Sequence, residues 1–268
     1  MSYVHGYSDR ETQRLLEQSL ILEDLLHKGT RFPPGSRVLE VGCGVGAQTS
    51  ILARRNPGIH LTSIDISEES VKKATGLVSE LGLKNVKVKQ ADLFDHGFEK
   101  ATFDHIFICF VLEHLKEPAK ALGLTKELLV KGGTLTLIEG DHGSGFWTPE
   151  SSPSRLVWKG LIDSQCNLGH DPNIGRRLYP LLMEAGFEPE YVEPRAVYAD
   201  KSDPVLLDGV VNKIIVPMVF SAEQQVLEEK LVDRTHWKQG LKDLSAVSSH
   251  KDGTFFYTWF KGLATPIY

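Results

Sequence analysis

The chain has 268 residues, 41% of them apolar and 24% charged, with 30 basic and 35 acidic side chains for a net charge of −5. That balance belongs to a globular protein with a sizeable core, sized for one large domain or two small ones. The negative sign argues against a nucleic-acid binder working through a basic face.

In chain order, Ser8 and Glu11 are spaced as a capping box. Leu15, Leu16, Leu22, Leu25 and Leu26 then form an apolar helical stripe, and Gly29 is placed to end it. From Arg37 the pattern changes to short apolar runs alternating with helices. Strands are predicted at Arg37–Val41, His60–Ile64 with Asp65 at its end, Val86–Gln90, His105–Phe110 and Gly133–Ile138. Helices fall at Ala47–Arg55, at Ser67–Leu81 with Ser67 as N-cap, and from Pro118 to about Val130. Such alternation implies right-handed crossovers and a parallel sheet covered on both faces. After Gly140, residues 141–172 read as a long Gly-, Ser- and Trp-containing connection. A helix follows at Ile174–Ala185, closed by Gly186, and the last strands are expected at Phe187–Tyr198 and Thr254–Leu263. Between those two strands lies a helical insertion, about residues 200–250. Its first stripe, Leu206 to Ile215, is expected to stop at Pro217, with Ser221 and Thr235 opening two further helices.

Cys43, Cys109 and Cys166 are too few and too scattered for a disulfide framework or a cysteine zinc site, which favours a reducing cytoplasm. No apolar run approaches the ~18–20 residues of a bilayer span, and the first residues lack a signal-peptide pattern. The expectation is a cytoplasmic protein of one domain, 1–268, without a membrane or nucleic-acid partner and without a metal.

The chemistry concentrates at strand ends. Gly42, Gly44 and Gly46, in Glu40-Val41-Gly42-Cys43-Gly44-Val45-Gly46, join the first strand to the first helix, where glycine lets a ligand approach the backbone. Asp65 ends the second strand and suits a ribose, because one carboxylate accepts from two hydroxyls. Asp92 follows the third strand and suits an adenine amino group. Together they point to an adenosine-containing cofactor. Gly42, Gly44 and Ala47 also satisfy the weak G-x-G-x-x-A dinucleotide pattern, so an NAD-dependent oxidoreductase is the rival reading. Glu40, suited to orient an ammonium group, and the absence of a second βαβ half weigh against it. The plain alternatives are a ligand-free turn for the glycines and helix-capping roles for the two aspartates.

These motifs, with S-I-D-I-S, Q-A-D-L and F-D-H-I-F-I-C-F-V-L-E-H, resemble the class I S-adenosylmethionine-dependent methyltransferases over about residues 36–140. The resemblance implies a Rossmann-like α/β three-layer sandwich whose seven strands run 3-2-1-4-5-7-6, the last antiparallel. A helical lid over residues 1–30 completes the expected architecture. Cofactor contacts carry over to Tyr7, Glu40, Gly42, Cys43, Gly44, Gln48, Asp65, Ile66, Asp92, Leu93, Cys109 and Phe110. The framing segments look like a small-molecule branch of microbial methyltransferases, and the missing Pro-Pro after the fourth strand argues against nucleic-acid amino groups as acceptor. Glu139 and His142, just past strand five, are the candidate catalytic residues, with His142 as general base for a small-molecule acceptor. A non-catalytic S-adenosylmethionine-binding protein is the other alternative, since fold does not settle function.

Overall fold

The computed structural model describes residues 9–268. Tyr7 and Ser8 lie outside the described residues, so the first cofactor contact and the capping box are not placed. The chain opens with α1 (Asp9–Ile21) and α2 (Glu23–His27). It continues through β1 (Arg37–Val41), α3 (Ala47–Arg55), β2 (His60–Asp65), α4 (Glu68–Glu80), β3 (Val86–Gln90), β4 (Phe103–Cys109) and α5 (Pro118–Leu128). Then come β5 (Leu129–Thr148), α6 (Ser152–Asn167), α7 (Leu178–Glu184) and β6 (Phe187–Asp200). Last are α8 (Pro204–Asp208), α9 (Val216–Ser221), α10 (Glu223–Glu228), α11 (Arg234–Ala246) and β7 (Thr254–Pro266).

The strands form one sheet in the order β3-β2-β1-β4-β5-β7-β6. β1 pairs in parallel with β2 and β4, β2 with β3, and β4 with β5. Just past β7, the Ile267 N–H donates to the Gly186 carbonyl just before β6, so the last two strands run antiparallel. The register Val41↔Ile64, Val41↔Ile108, Asp65↔Gln90 and Cys109↔Ile138 brings the carboxyl ends of β1 to β4 to one edge, level with Ile138 inside β5. β3 sits at the sheet border with Lys87 and Lys89 exposed, charges that discourage edge-to-edge pairing.

Two compact units are distinguished along the chain. A sheet unit comprises Leu26–Gly140, Ile174–Arg195 and Trp259–Tyr268; a helix-rich unit comprises the described residues up to Leu25, Asp141–Asn173 and Ala196–Thr258. In the sheet unit, Leu39, Ile106, Ile108, Leu135 and Leu137 of the strands are buried with Ala121, Leu122, Leu178 and Leu182 of α5 and α7. In the helix-rich unit, α11 packs so closely on α6 that a Cβ on Gly240 would stand 2.3 Å from the Pro153 carbonyl oxygen. Gly209 likewise brings the insertion against Ile21 of α1, 3.3 Å from where its Cβ would be.

Several expectations are corrected. β5 runs on to Thr148 and α6 follows, where a long connection was expected. Gly145 there serves packing: a Cβ on it would lie 2.5 Å from the Trp158 ring. The helix does not stop at Pro217. The stretch Gly209–Ile215 is a π-helix and α9 continues through the proline. Proline lacks an N–H and crowds the carbonyl four residues back, and the wider turn, with the Val216 N–H reaching the Val211 oxygen, accommodates it. The resulting Pro204–Ser221 helix is long and apolar enough to cross a membrane by length and composition, which no segment was expected to be. Val210, Val211, Ile214, Ile215 and Val219 are nonetheless buried in protein. Ser221 bonds back to the Met218 carbonyl and so ends α9 instead of opening α10. Asp233, not Thr235, caps α11, accepting from the Thr235 and His236 N–H groups. In α1 the buried side chains are Glu11, Arg14, Gln18 and Ser19, while Leu15 and Leu16 are half-buried. The predicted stripe spans two helices: Leu22 and Leu26, at its C-terminal end, are buried as expected, whereas Leu15 and Leu16 of α1 do not mark that helix's inward face.

Candidate active site

The glycine turn follows β1 in the sheet unit. Gly42, Gly44 and Gly46 have φ of 72°, 52° and 86°, the left-handed region that glycine occupies without strain. Their surroundings differ. A Cβ on Gly42 would meet the Val111 side chain at 2.4 Å, and one on Gly46 would meet Ala74 of α4 at 3.1 Å. Nothing lies within 4 Å of a Cβ on Gly44. Two of the glycines therefore serve internal packing, and Gly44 faces open space in the way a ligand cradle requires. The Gly42 and Cys43 N–H groups both donate to the Ile64 carbonyl, anchoring the turn on β2.

Asp65, at the end of β2, bridges the turn. Its Oδ2 accepts from the Gly44 N–H at 2.8 Å and its Oδ1 from the Ser67 N–H at 2.9 Å. Burial raises its pKa, and the backbone donors work against that shift. Asp92 accepts from the Phe94 N–H at 2.9 Å, holding the turn after β3. Both carboxylates thus hold turns of the protein's own backbone. Ile66 is 42% exposed beside Asp65, whereas Leu93 is buried beside Asp92.

Glu40 is buried one strand further in. Its Oε2 accepts from Thr49 Oγ1 and Ser63 Oγ, each at 2.6 Å. Burial pushes its pKa up to about 7 despite those two donors. Cys43 is buried with its thiol pKa raised by desolvation, so it contributes backbone and no nucleophile. Gln48, in the first turn of α3, is tied through Oε1 to His27 Nε2 at 2.6 Å.

At the end of β4, Cys109 is buried and its thiol pKa is likewise raised by burial. Phe110 has φ of 59°, a strained conformation for a bulky residue and a frequent mark of functional turns. Its N–H donates to the Ile138 carbonyl, and Val111 packs on Gly42 directly afterwards. Glu139 is fully buried, with Oε1 accepting from the Val111 and Leu112 N–H groups at 3.0 and 2.8 Å. Burial and the neighbouring Glu113 push its pKa up to about 8. Through these bonds it holds the turn whose Val111 packs against the glycine loop. A 3₁₀ turn, Leu112–His114, continues from there.

His142 lies in the helix-rich unit and is 3% exposed. Its Nδ1 is 2.6 Å from the Tyr257 hydroxyl, and its carbonyl accepts from Trp158 Nε1 at 2.9 Å. Burial, helped by the Arg14 charge, pushes its pKa down to about 4, leaving a neutral imidazole at pH 7. Around it stand Trp147, Trp158, Phe255 and Tyr257, with ring centroids 5.5–6.2 Å apart from Trp158. Arg14 pairs with Glu11 at 2.5 Å and donates to Gln18 Oε1 at 2.5 Å, a buried polar strip in the same unit.

Sequence reasoning did not single out Thr49, Ser63, Val111 or His27 for these roles. Ser63 and Val111 fall inside the quoted motifs, but nothing local shows what they touch, because each of these contacts spans 9 to 28 residues of chain.

Comparison with known proteins follows the same lines. The family model described as a methyltransferase domain matches residues 33–186. The chain is 28% identical over 200 residues to 27-O-demethylrifamycin SV methyltransferase of Amycolatopsis mediterranei, a match covering 74% of this chain and 71% of that one. Among solved structures it is similar to Haemonchus contortus phosphoethanolamine N-methyltransferase 2 in complex with S-adenosyl-L-methionine, with a TM-score of 0.55 and 17% identity, covering 94% of this chain and 52% of that one. It is as similar to the [4+2]-cyclase SpnF, with a TM-score of 0.56 and 19% identity, covering 100% and 86%. The chain spans only 48–63% of the length of three other curated relatives that it matches. This chain belongs to the methyltransferase-domain family. With its sheet order it is of the class I, S-adenosylmethionine-dependent type that its motifs resemble.

Proposed function

We propose that the chain transfers the methyl group of S-adenosyl-L-methionine to a small-molecule acceptor, releasing S-adenosyl-L-homocysteine. The observation that carries this reading is the alignment of the glycine turn, Asp65 and Asp92 at three neighbouring strand ends, with Gly44 open and hydrogen-bonded to Asp65. These residues fit an adenosyl group: Gly44 leaves room beside the backbone, and Asp65 and Asp92 offer acceptors to hydroxyl and amino groups. The cofactor, when bound, supplies an electrophilic sulfonium methyl. The protein's contribution is chiefly alignment, a term that reaches roughly 7–11 kcal/mol in well-oriented reactions. Glu139 holds the turn after β4 in shape, and through Val111 the glycine loop with it.

A hydroxyl or amine acceptor gives up one proton on methylation. His142, neutral at pH 7, is proposed to accept it, with Tyr257 fixing the ring. The aromatic and polar interior around His142 supports a small organic acceptor. So do relatives and neighbours whose names specify rifamycin and phosphoethanolamine compounds. A cytoplasmic setting belongs to the same proposal, supported by Cys43, Cys109 and Cys166 standing as free thiols. The likeness to a cyclase keeps a second chemistry on this fold in play. A screen of small organic acceptors that reads out S-adenosylhomocysteine tests the proposal. Acceptor-dependent product supports methyl transfer. Tight cofactor binding with no turnover on any acceptor favours the other chemistry, and binding of NAD instead overturns the cofactor.

A further inference from the structure

His27 is a buried histidine that the proposed reaction does not use. It is held on three sides within the sheet unit. Lys261 Nζ donates to the carbonyls on either side of it, those of Leu26 at 3.3 Å and Lys28 at 2.9 Å, and to Thr30 Oγ1 at 2.6 Å. The imidazole stacks on Phe107 of β4, centroids 5.6 Å apart at 21°. Its Nε2 then meets Gln48 Oε1 at 2.6 Å. A lysine that is itself 1% exposed, spent on fixing the backbone around one histidine, is a costly arrangement if the histidine only fills space.

The consequence falls on Gln48. An amide has one acceptor end and one donor end, and a protonated Nε2 on His27 occupies the acceptor end. Gln48 is half-buried in the first turn of α3, immediately after the glycine loop, and its amide nitrogen has no protein acceptor among the described residues. Two N–H donors in a fixed orientation beside the proposed cofactor cradle match an anionic group. The amino-acid end of S-adenosylmethionine has an ammonium, which only donates, and a carboxylate, which only accepts. The carboxylate is the group that fits.

We propose that His27 is a positioning residue that holds the Gln48 amide toward the carboxylate of the cofactor's amino-acid end. This inference rests on the methyltransferase reading. It is tested by calorimetry with two ligands, S-adenosylhomocysteine and 5′-methylthioadenosine, which has the adenosyl group but no amino-acid end. His27→Phe keeps the stacking on Phe107 and loses the hydrogen bond. It is expected to weaken S-adenosylhomocysteine roughly tenfold, a typical loss for one charge-assisted hydrogen bond, and to leave methylthioadenosine unchanged. His27→Gln, which retains an N–H donor, is expected to recover part of the loss. Gln48→Met alters only a half-exposed side chain and tests the same contact should His27→Phe fail to fold. It should reproduce the ligand-selective loss, and adding His27→Phe to it should cost nothing more. Equal weakening of both ligands marks a merely structural histidine and overturns the proposal, as does parental affinity for S-adenosylhomocysteine in either variant. Failure of the unaltered protein to bind either ligand overturns the methyltransferase reading instead.

Discussion

The two units bury charged and polar groups for different ends. In the sheet unit, Glu40 and Glu139 are buried carboxyls that hold backbone or neighbouring strands: Glu40 joins Thr49 of α3 to Ser63 of β2, and Glu139 takes two amide hydrogens of the turn after β4. In the helix-rich unit, Arg14 and His142 meet other side chains, Glu11, Gln18 and Tyr257, beside a cluster of tryptophans. The first arrangement fixes strands and the turns that follow them. The second sets polar side chains against one another beside aromatic rings. In the sheet unit, then, buried acids fix backbone, and in the helix-rich unit buried polar side chains pair with one another.

The sharpest break in that comparison is Gly44→Val. It adds a side chain to the open position and forces φ of 52° on a β-branched residue. Calorimetry should show S-adenosylmethionine binding lost, with the thermal transition kept but lowered by the backbone strain. Gly42→Ala reverses the pattern, because its Cβ would overlap Val111, and should lower the melting temperature at least as much as the affinity.

Acid and base should separate the units next. His142 titrates near 4 in the folded state against 6.5 unfolded. Its contribution is present above pH 6.5 and is lost as pH falls through about 4, on the order of 3 kcal/mol. Glu40 is shifted the other way, from 4.5 to about 7, so its contribution is present below pH 4.5 and is lost as pH rises through about 7. Denaturant unfolding across pH should therefore show His142→Phe flattening the acid limb and Glu40→Gln flattening the neutral limb. Interchanged effects would contradict the burial of both groups.

In turnover, His142→Ala should lower kcat by roughly 10²-fold and leave cofactor affinity intact. Steady-state kinetics with the acceptor found by screening provides the measurement; full activity would leave positioning as the whole of the catalysis. The smallest effect is expected for Asp65→Ala, about 1–3 kcal/mol in S-adenosylmethionine binding, since the ribose loses a charged acceptor. Loss of stability without loss of affinity in that variant would reduce Asp65 to its bonds with Gly44 and Ser67.

The sheet unit was the more legible. β1 and α3 have the boundaries their apolar run and flanking glycines predict, β3 has its predicted bounds, and Asp65 closes β2 as expected. Local rules suffice there, because a buried parallel strand must be apolar and a left-handed turn needs glycine. The same residues say nothing of what faces them. Gly42 and Gly44 look alike in the sequence, yet one accommodates Val111 and the other open space. Glu139 and His142 are three residues apart on one strand, and only the fold separates a carboxyl under a turn from an imidazole among aromatic rings.

The sequence by itself determined the alternation of strands and helices, the glycine loop and the acids at the strand ends, since period, propensity and turn chemistry act within a few residues. Tertiary structure alone decided that β5 continues past Gly140, because a glycine-containing segment becomes a strand when a packed ring such as Trp158 requires the missing Cβ. It also decided that α1 turns Glu11, Arg14 and Gln18 inward and that His27 reaches Gln48. Those outcomes depend on which partner stands opposite, and a buried polar group is tolerated only where that partner completes its hydrogen bonds.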